Sequence, residues 1–195
     1  VVVLATIHQA VDMHRGTLPA YFLAGALTAC AIRPTHTPLP EAEAGVASST
    51  GLVVAQDGIA ADVGAAILRR GGNAVDAAVA TAFALAVTHP TAGNIGGGGF
   101  MVIRTAQGEA TTIDYREVAP LASTPTMYLD SAGNIDRALT AAGYLAPGVP
   151  GTVRGLELAH KKFGKLPWRD LVLPAAELAE QGIALNATLA SSLNG

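Results

Sequence analysis

The stretch GNIGGGGF, residues 93–100, places four consecutive glycines, Gly96 to Gly99, directly before an apolar run. Glycine loses more backbone entropy on folding than any other residue, so an ordered run of it needs a reason. A phosphate loop requires a strand, then glycines, then a helix, whereas here the helical pattern comes first and ends at Pro90. The GxGxxG and GxxxxGK[ST] spacings are absent. We therefore predict that Gly96, Gly97, Gly98 and Gly99 are structural and permit close packing where the chain enters a central strand.

The composition sets the broad class. Half of the 195 residues are hydrophobic and 14% are charged, so the chain can bury a core and the composition argues against global disorder. The net charge of −3 and the lack of a basic face argue against a nucleic-acid partner. One cysteine excludes an internal disulfide, and the five histidines do not fall at metal-ligand spacing. We predict neither a metal nor a cofactor.

The first thirty residues have the pattern of an export signal. A short positive start at Met13, a candidate for the true first residue, precedes the apolar run of residues 18–29. That run is shorter than the ~20 residues that a membrane-spanning helix needs. It ends in LTAC, which resembles a bacterial lipobox, so we predict lipidation of Cys30 and a periplasmic or extracellular protein that this lipid would anchor to the membrane. A secretory signal with an incidental cysteine and a buried apolar helix are the alternatives.

Residues 31–50 have the composition of a linker. Pro34, Pro38 and Pro40 block helix formation, and periodic apolar residues are lacking. We predict a flexible tether, with the ordered domain spanning residues 51–195.

Apolar periodicity and turn residues predict the elements of that domain. The helix at 74–88 is apolar nearly all round, so it should be buried on most sides. Residues 129–151 are rich in turn formers. The order of elements favours an α+β fold in which helices cover a sheet. The predicted elements are a strand at 51–56, helices from 58 and at 74–88, a hairpin of 100–104 with 110–115, helices at 152–163 and 167–181, and a last helix capped by Asn186.

Several candidate functional residues have simpler structural interpretations. Asp57, Asp62 and Asp76 lie on or near the first two helices, where carboxylates cap or solvate a helix more often than they form a catalytic pair. Trp168, at a predicted helix start, is expected to be a packing anchor. No serine lies in a GxSxG motif, which argues against an α/β-hydrolase nucleophile.

Four stretches together resemble the large subunit of the γ-glutamyltranspeptidase family. They are HPTAGNIGGGGFMVI (89–103), IDYREVAP (113–120), PGVPGTVRG (147–155) and FGKLPWRDLVLPAAELAEQGIALN (163–186). The resemblance covers essentially all of residues 51–195. It implies a partial N-terminal-nucleophile (Ntn) hydrolase fold with αββα layers, in which this chain supplies the N-terminal part of the large subunit.

The resemblance also implies an activity. In this family a precursor cuts itself, and the new N-terminal threonine of the small subunit attacks the γ-glutamyl amide of glutathione and similar compounds. The γ-glutamyl group then passes to water or to an acceptor amino acid or peptide. Thr111 and Thr112 lie inside a predicted strand and do not match the Thr-Thr-His tract that supplies this threonine. The nucleophile is therefore expected outside residues 1–195, and this chain alone should be inactive.

Arg116 is the substrate-binding residue that the resemblance implies. The arginine of the family's RExAP motif grips the α-carboxylate of the γ-glutamyl group, and a planar guanidinium suits a carboxylate because it donates two parallel hydrogen bonds. Glu117 either orients Arg116 or balances its charge. The structural alternative is that Arg116 pairs with Glu117 or Asp114 and binds no substrate.

Two other functions remain open from the sequence. The chain could belong to a related acylase that acts on β-lactam side chains or poly-γ-glutamate. Arg116 discriminates between the two activities, since an acyl group without an α-carboxylate has less use for it. It could also be a non-catalytic lipoprotein. In any of these cases we expect isolated residues 51–195 to expose a sheet edge and an apolar helix face, and so to aggregate or stay molten.

Overall fold

The computed structural model describes residues 2–4 and 47–194, so Met13, Cys30 and most of the predicted linker lie outside the described residues. The described elements run in the order β1 Val2–Leu4, β2 Leu52–Val54, α1 Gly58–Arg69, α2 Ala74–Thr88, β3 Phe100–Arg104, β4 Ala110–Asp114, α3 Arg137–Ala141, α4 Thr152–Phe163, α5 Trp168–Gln181 and α6 Ala187–Asn194. Within these ranges no helix is long and apolar enough to cross a bilayer.

The first two helices each begin at a side-chain cap. The Asp57 carboxylate accepts hydrogen bonds from the backbone N–H groups of Ile59 and Ala60, at 3.0 and 3.3 Å. Asn73 caps α2 in the same way and forms a reciprocal capping box with Asp76. Each cap satisfies N–H groups that have no acceptor inside the helix, which fixes where the helix starts.

Helix α2 lies at the centre of the described core. Ten of its fifteen residues are buried, as its all-round apolar sequence predicts. Helix α1 packs closely on it through Gly64, where an added methyl group would lie 2.2 Å from Thr81 Oγ1. Helices α4 and α5 contribute Leu156 and Leu171 to the same core.

A buried carboxylate ties the start of α2 to the loop between α4 and α5. Asp76 has no exposed surface, and its oxygens accept hydrogen bonds from the backbone N–H groups of Lys165 and Leu166, at 3.0 and 3.3 Å. The Asn73 amide donates to Phe163 O at 2.6 Å. Asp76 therefore caps α2 as predicted and also joins two segments about 90 residues apart.

Strands β3 and β4 form the predicted antiparallel hairpin, with Phe100 opposite Asp114 and Arg104 opposite Ala110. Its two faces differ: Ile103 enters the helical core, whereas Val102 is 77% exposed. Within the described ranges β3 pairs with β4 alone, so the predicted central position of this strand is not reproduced.

Other boundaries differ from the prediction by a few residues. The strand predicted at 51–56 is shorter and pairs antiparallel with β1, a partner that the sequence analysis does not predict. Strand β4 ends at Asp114 rather than Tyr115, although the Tyr115 N–H still donates to Gly99 O at 2.9 Å. The turn-rich region includes the unpredicted α3, whose five residues start at an Asp136 cap.

The last two helices confirm the predicted cap at Asn186 and the packing role of Trp168. Helix α5 starts at Trp168, with Pro167 as its N-cap residue. The Trp168 ring meets the Phe83 ring edge-on, with centroids 5.5 Å apart. Asn186 Oδ1 accepts a hydrogen bond from Leu189 N at 2.8 Å, as its predicted capping role requires.

Candidate functional site

Three segments meet at one side of the hairpin: residues 93–99, residues 114–118 and residues 148–155. Gly97 O accepts hydrogen bonds from Gly151 N and Thr152 N, at 2.9 and 3.0 Å, which satisfies N–H groups at the start of α4. Val118 and Val149 exchange two backbone hydrogen bonds of 3.2 and 2.8 Å. The hairpin, the glycine run and the start of α4 therefore hold one another in place.

The glycine run allows this approach, as predicted, but its four members are not equivalent. A methyl group built on Gly98 would lie 2.7 Å from Arg116 Cα, and one on Gly99 would lie 2.9 Å from the Tyr115 ring. A methyl group on Gly97 would lie 2.8 Å from Asn94 Oδ1. On Gly96 the nearest atom would be 3.8 Å away, which is an ordinary contact. Close packing therefore requires glycine at Gly98, which faces backbone, and at Gly99, which faces the Tyr115 ring. At Gly97 the nearest atom is the end of a side chain that can move, and at Gly96 there is no close contact.

Arg116 follows the hairpin directly and lines a cavity of about 220 Å³. Its backbone N–H donates to Asp114 Oδ1 at 3.0 Å, so the Asp114 side chain fixes the backbone of Arg116 and not its guanidinium. The residue is exposed, and among the described residues its guanidinium has neither a hydrogen bond nor an ion pair. The other lining side chains include Tyr115, Val118, Val149, Arg154 and Leu158.

Glu117 lies on the glycine side of the segment. A methyl group built on Gly97 would lie 3.3 Å from Glu117 Oε1, and one on Gly148 would lie 3.1 Å from Glu117 Cβ. No ion pair joins Glu117 to Arg116 in the described part of the chain. A role for Glu117 in orienting Arg116 stays a prediction.

A second arginine, Arg154 in the first turn of α4, lines the same cavity but already has an anionic partner. Arg154 forms an ion pair with Glu157, which also binds Lys161. Hydrogen bonds, first from Lys161 and then from Arg154, lower the pKa of the Glu157 carboxyl. Glu157 is shared by two cations, so it does not neutralise both, but Arg154 does have an anionic contact. Arg116 has none among the described residues, which makes it the better candidate for an incoming carboxylate.

A larger cavity of about 530 Å³ lies between α2, α5 and the glycine run. Phe83, Val87, Ile95 and Val172 line it, and none of its lining residues carries a titratable side chain. Asn94 is the polar side chain among these lining residues, and none of them carries a charge that could pair with a carboxylate. The cavity at Arg116 is therefore the candidate site.

Two features of this site are not predicted from the sequence. Tyr115 is half-buried, which raises the pKa of its phenol, and its ring packs on Gly155 of α4. The sequence does contain a signal for this packing: Gly151 and Gly155 are four residues apart, and residues four apart lie on one face of a helix. The second feature is Arg154, and nothing in its local sequence predicts that it lines the same cavity as Arg116.

The chain shares its fold with solved structures of known class. Its structure matches the γ-glutamyltranspeptidase of Pseudomonas nitroreducens, solved in complex with L-DON, with a TM-score of 0.70 and 51% identity over 74% of this chain and 43% of that one. It also matches the cephalosporin acylase of Bacillus halodurans, with a TM-score of 0.65 and 31% identity over 82% of this chain and 29% of that one. The described residues thus form part of the α+β fold of the Ntn hydrolases, as predicted.

Sequence comparison identifies the family within this fold. The family model for gamma-glutamyltranspeptidase matches residues 60–195, and this chain belongs to that family. The glutathione hydrolase proenzyme of Pseudomonas sp. (strain A14) is 48% identical over 173 residues, which is 89% of this chain. The chain spans 29% of the length of that relative.

Proposed function

We propose that the full-length protein, of which this chain supplies part of the large subunit, cleaves γ-glutamyl amides such as glutathione. It transfers the γ-glutamyl group to water or to an amino acid or peptide. Family membership over residues 60–195 supports this, as do relatives named glutathione hydrolase proenzymes. The word proenzyme also fits a precursor that is cut into two subunits.

The proposed chemistry needs a nucleophile from polypeptide outside residues 1–195. An N-terminal threonine hydroxyl attacks the γ-carbonyl carbon, and the free α-amine of the same residue accepts its proton. Collapse of the tetrahedral intermediate expels the amine of the leaving peptide, which takes up that proton, and leaves a γ-glutamyl ester. Water or an acceptor amine then releases the acyl group. Thr111 and Thr112 cannot take this role, because they lie within β4.

The observation that carries the proposal is the position of Arg116. Arg116 lines the cavity and its guanidinium has no anionic partner among the described residues, while Arg154, which lines the same cavity, is paired with Glu157. A free guanidinium on a fixed backbone is suited to bind the α-carboxylate of a γ-glutamyl group through two parallel hydrogen bonds.

The test uses the full-length protein and two anilide substrates. A γ-glutamyl anilide has the α-carboxylate, whereas a 4-aminobutyryl anilide keeps the amine and lacks the carboxylate. We expect Arg116→Ala to lower kcat/KM for the γ-glutamyl anilide. The loss should correspond to roughly 2–4 kcal/mol of transition-state stabilisation, because a charged hydrogen-bonding pair is lost. Turnover of the 4-aminobutyryl anilide should barely change. Arg116→Lys should give an intermediate loss, since lysine keeps the charge but not the planar fork.

Arg104→Ala is the matched control, because Arg104 is exposed at the far end of β3 and does not line the cavity. It should leave both rates unchanged. An equal loss on both substrates in Arg116→Ala would contradict the proposed role of Arg116. Including a glutaryl anilide, which has the carboxylate and lacks the amine, separates this activity from that of a related acylase: a preference for the glutaryl substrate would favour the acylase.

We also propose that the protein is exported and that Cys30 is lipidated. The support is the sequence pattern of residues 13–30, an apolar run ending in LTAC. Mass spectrometry of the mature N-terminus tests this. The expected N-terminal residue is Cys30 carrying a diacylglyceryl group, whereas a mature chain that begins elsewhere, or with an unmodified Cys30, would contradict the lipid anchor.

A further inference from the structure

Tyr115, the residue directly before Arg116, has its ring in a slot made by glycines. A methyl group built on Gly155 would lie 2.2 Å from Tyr115 Cγ, and one on Gly99 would lie 2.9 Å from Tyr115 Cε2. Real side chains essentially never approach another atom within 3.0 Å at Cβ. The ring therefore has this position because both neighbours lack a side chain.

Two further glycines hold the backbone on either side of that ring. A methyl group on Gly151 would lie 1.9 Å from Tyr115 O, and one on Gly98 would lie 2.7 Å from both Arg116 Cα and Glu117 N. Gly98, Gly99, Gly151 and Gly155, which we call the glycine slot, thus enclose the main chain and the ring together. The two sides of the slot are joined by the hydrogen bonds from Gly151 N and Thr152 N to Gly97 O.

We propose that Tyr115 is a positioning residue: its ring, seated in the glycine slot, fixes the backbone from which the Arg116 guanidinium reaches the α-carboxylate of the substrate. The inference rests on the proposed function, because it deepens the account of the same site. It also gives a role to the PGVPGTVRG stretch, which supplies two of the four slot glycines and lies outside the proposed chemistry.

The physical reason is the length of the arginine side chain. Several rotatable bonds separate its Cα from the guanidinium, so a small rotation of the backbone moves the fork out of register with a carboxylate. A misplacement of about 1 Å at a reacting group can cost on the order of 100-fold in rate. The Asp114 bond to the Arg116 N–H restrains one side of this backbone, and the slot restrains the other.

The test measures carboxylate discrimination in the full-length protein. Discrimination is the ratio of kcat/KM for the γ-glutamyl anilide to that for the 4-aminobutyryl anilide. A ratio within one preparation is insensitive to the fraction of protein that is folded, so a purely structural loss leaves it unchanged. Tyr115→Ala should lower the ratio about tenfold or more, mainly through KM for the γ-glutamyl substrate. Tyr115→Phe should keep the wild-type ratio, since the hydroxyl makes only a 3.5 Å contact with Phe100 O.

Two neighbouring glycines provide a matched pair. Gly98→Ala places a methyl group against the Arg116 backbone and should lower the ratio, whereas Gly96→Ala adds a methyl group that meets nothing closer than 3.8 Å and should not. If Tyr115→Ala keeps the wild-type ratio while Arg116→Ala lowers it, Tyr115 merely fills space and the inference fails alone. If Arg116→Ala keeps the ratio as well, the role of Arg116 fails, and this inference fails with it.

Discussion

At the scale of single residues, the fold depends on a buried carboxylate that has no part in the proposed chemistry. Asp76 is fully buried, and its two oxygens accept hydrogen bonds from the N–H groups of Asn73, Lys165 and Leu166. If this acceptor is lost, each of these N–H groups loses its hydrogen-bond partner. The sequence identifies Asp76 as a helix-capping residue, and the bonds to residues 165 and 166 follow from tertiary packing alone.

Asp76→Asn keeps the shape of the side chain but replaces one acceptor oxygen by a donor. We expect it to destabilise the full-length protein by about 1–3 kcal/mol, because at least one N–H group loses its hydrogen bond to this buried side chain. Thermal or urea unfolding measures this. Asp62→Asn, on the exposed face of α1, is the control and should change stability by less than about 0.5 kcal/mol. Equal stability of the two variants would show that Asp76 is not needed as an acceptor.

At the scale of elements, most helix and strand boundaries follow from local signals. Helix α2 spans 74–88 and β3 spans 100–104, as predicted, because caps and apolar periodicity define them within the segment. Local signals do not predict which helix faces pack closely against each other. Gly64 brings α1 against Thr81 of α2, and no local pattern around Gly64 indicates its partner.

Gly64→Ala tests the α1–α2 contact. The added methyl group would lie 2.2 Å from Thr81 Oγ1 and 2.9 Å from Val53 Cγ1, so we expect a loss of about 1–3 kcal/mol in stability from overpacking. Adding Thr81→Ala should recover part of that loss, since it removes the nearer atom, and a double-mutant cycle measures the recovery. Gly58→Ala, also in α1 but with nothing within 4 Å, should not destabilise. Losses that simply add in the double variant would argue against the contact.

At the scale of the whole molecule, the chain is part of a larger layered structure. One face of the hairpin is exposed, with Phe100 at 65% and Val102 at 77%, and within the described ranges β3 is unpaired on its other edge. These features confirm the sheet edge expected from the sequence, while aggregation of isolated residues 51–195 stays a prediction. A central position for β3 would require a further strand along that edge, and none of the described residues supplies one.

The candidate site illustrates what a sequence can and cannot predict. Arg116 is identified through the REVAP stretch and the family resemblance, not through any physical pattern around it. Its cavity also depends on Val149 and Arg154, more than thirty residues further along the chain. The glycine slot around Tyr115 needs three segments to converge, and propensities within a single segment carry no information about that convergence.

A crystal structure of the full-length protein with glutamate bound tests the central claim most directly, namely that Arg116 binds the α-carboxylate. The account predicts both carboxylate oxygens at hydrogen-bond distance, about 2.7–2.9 Å, from the Arg116 guanidinium. A glutamate whose α-carboxylate binds Arg154 or another group, with the Arg116 side chain directed elsewhere, would contradict it.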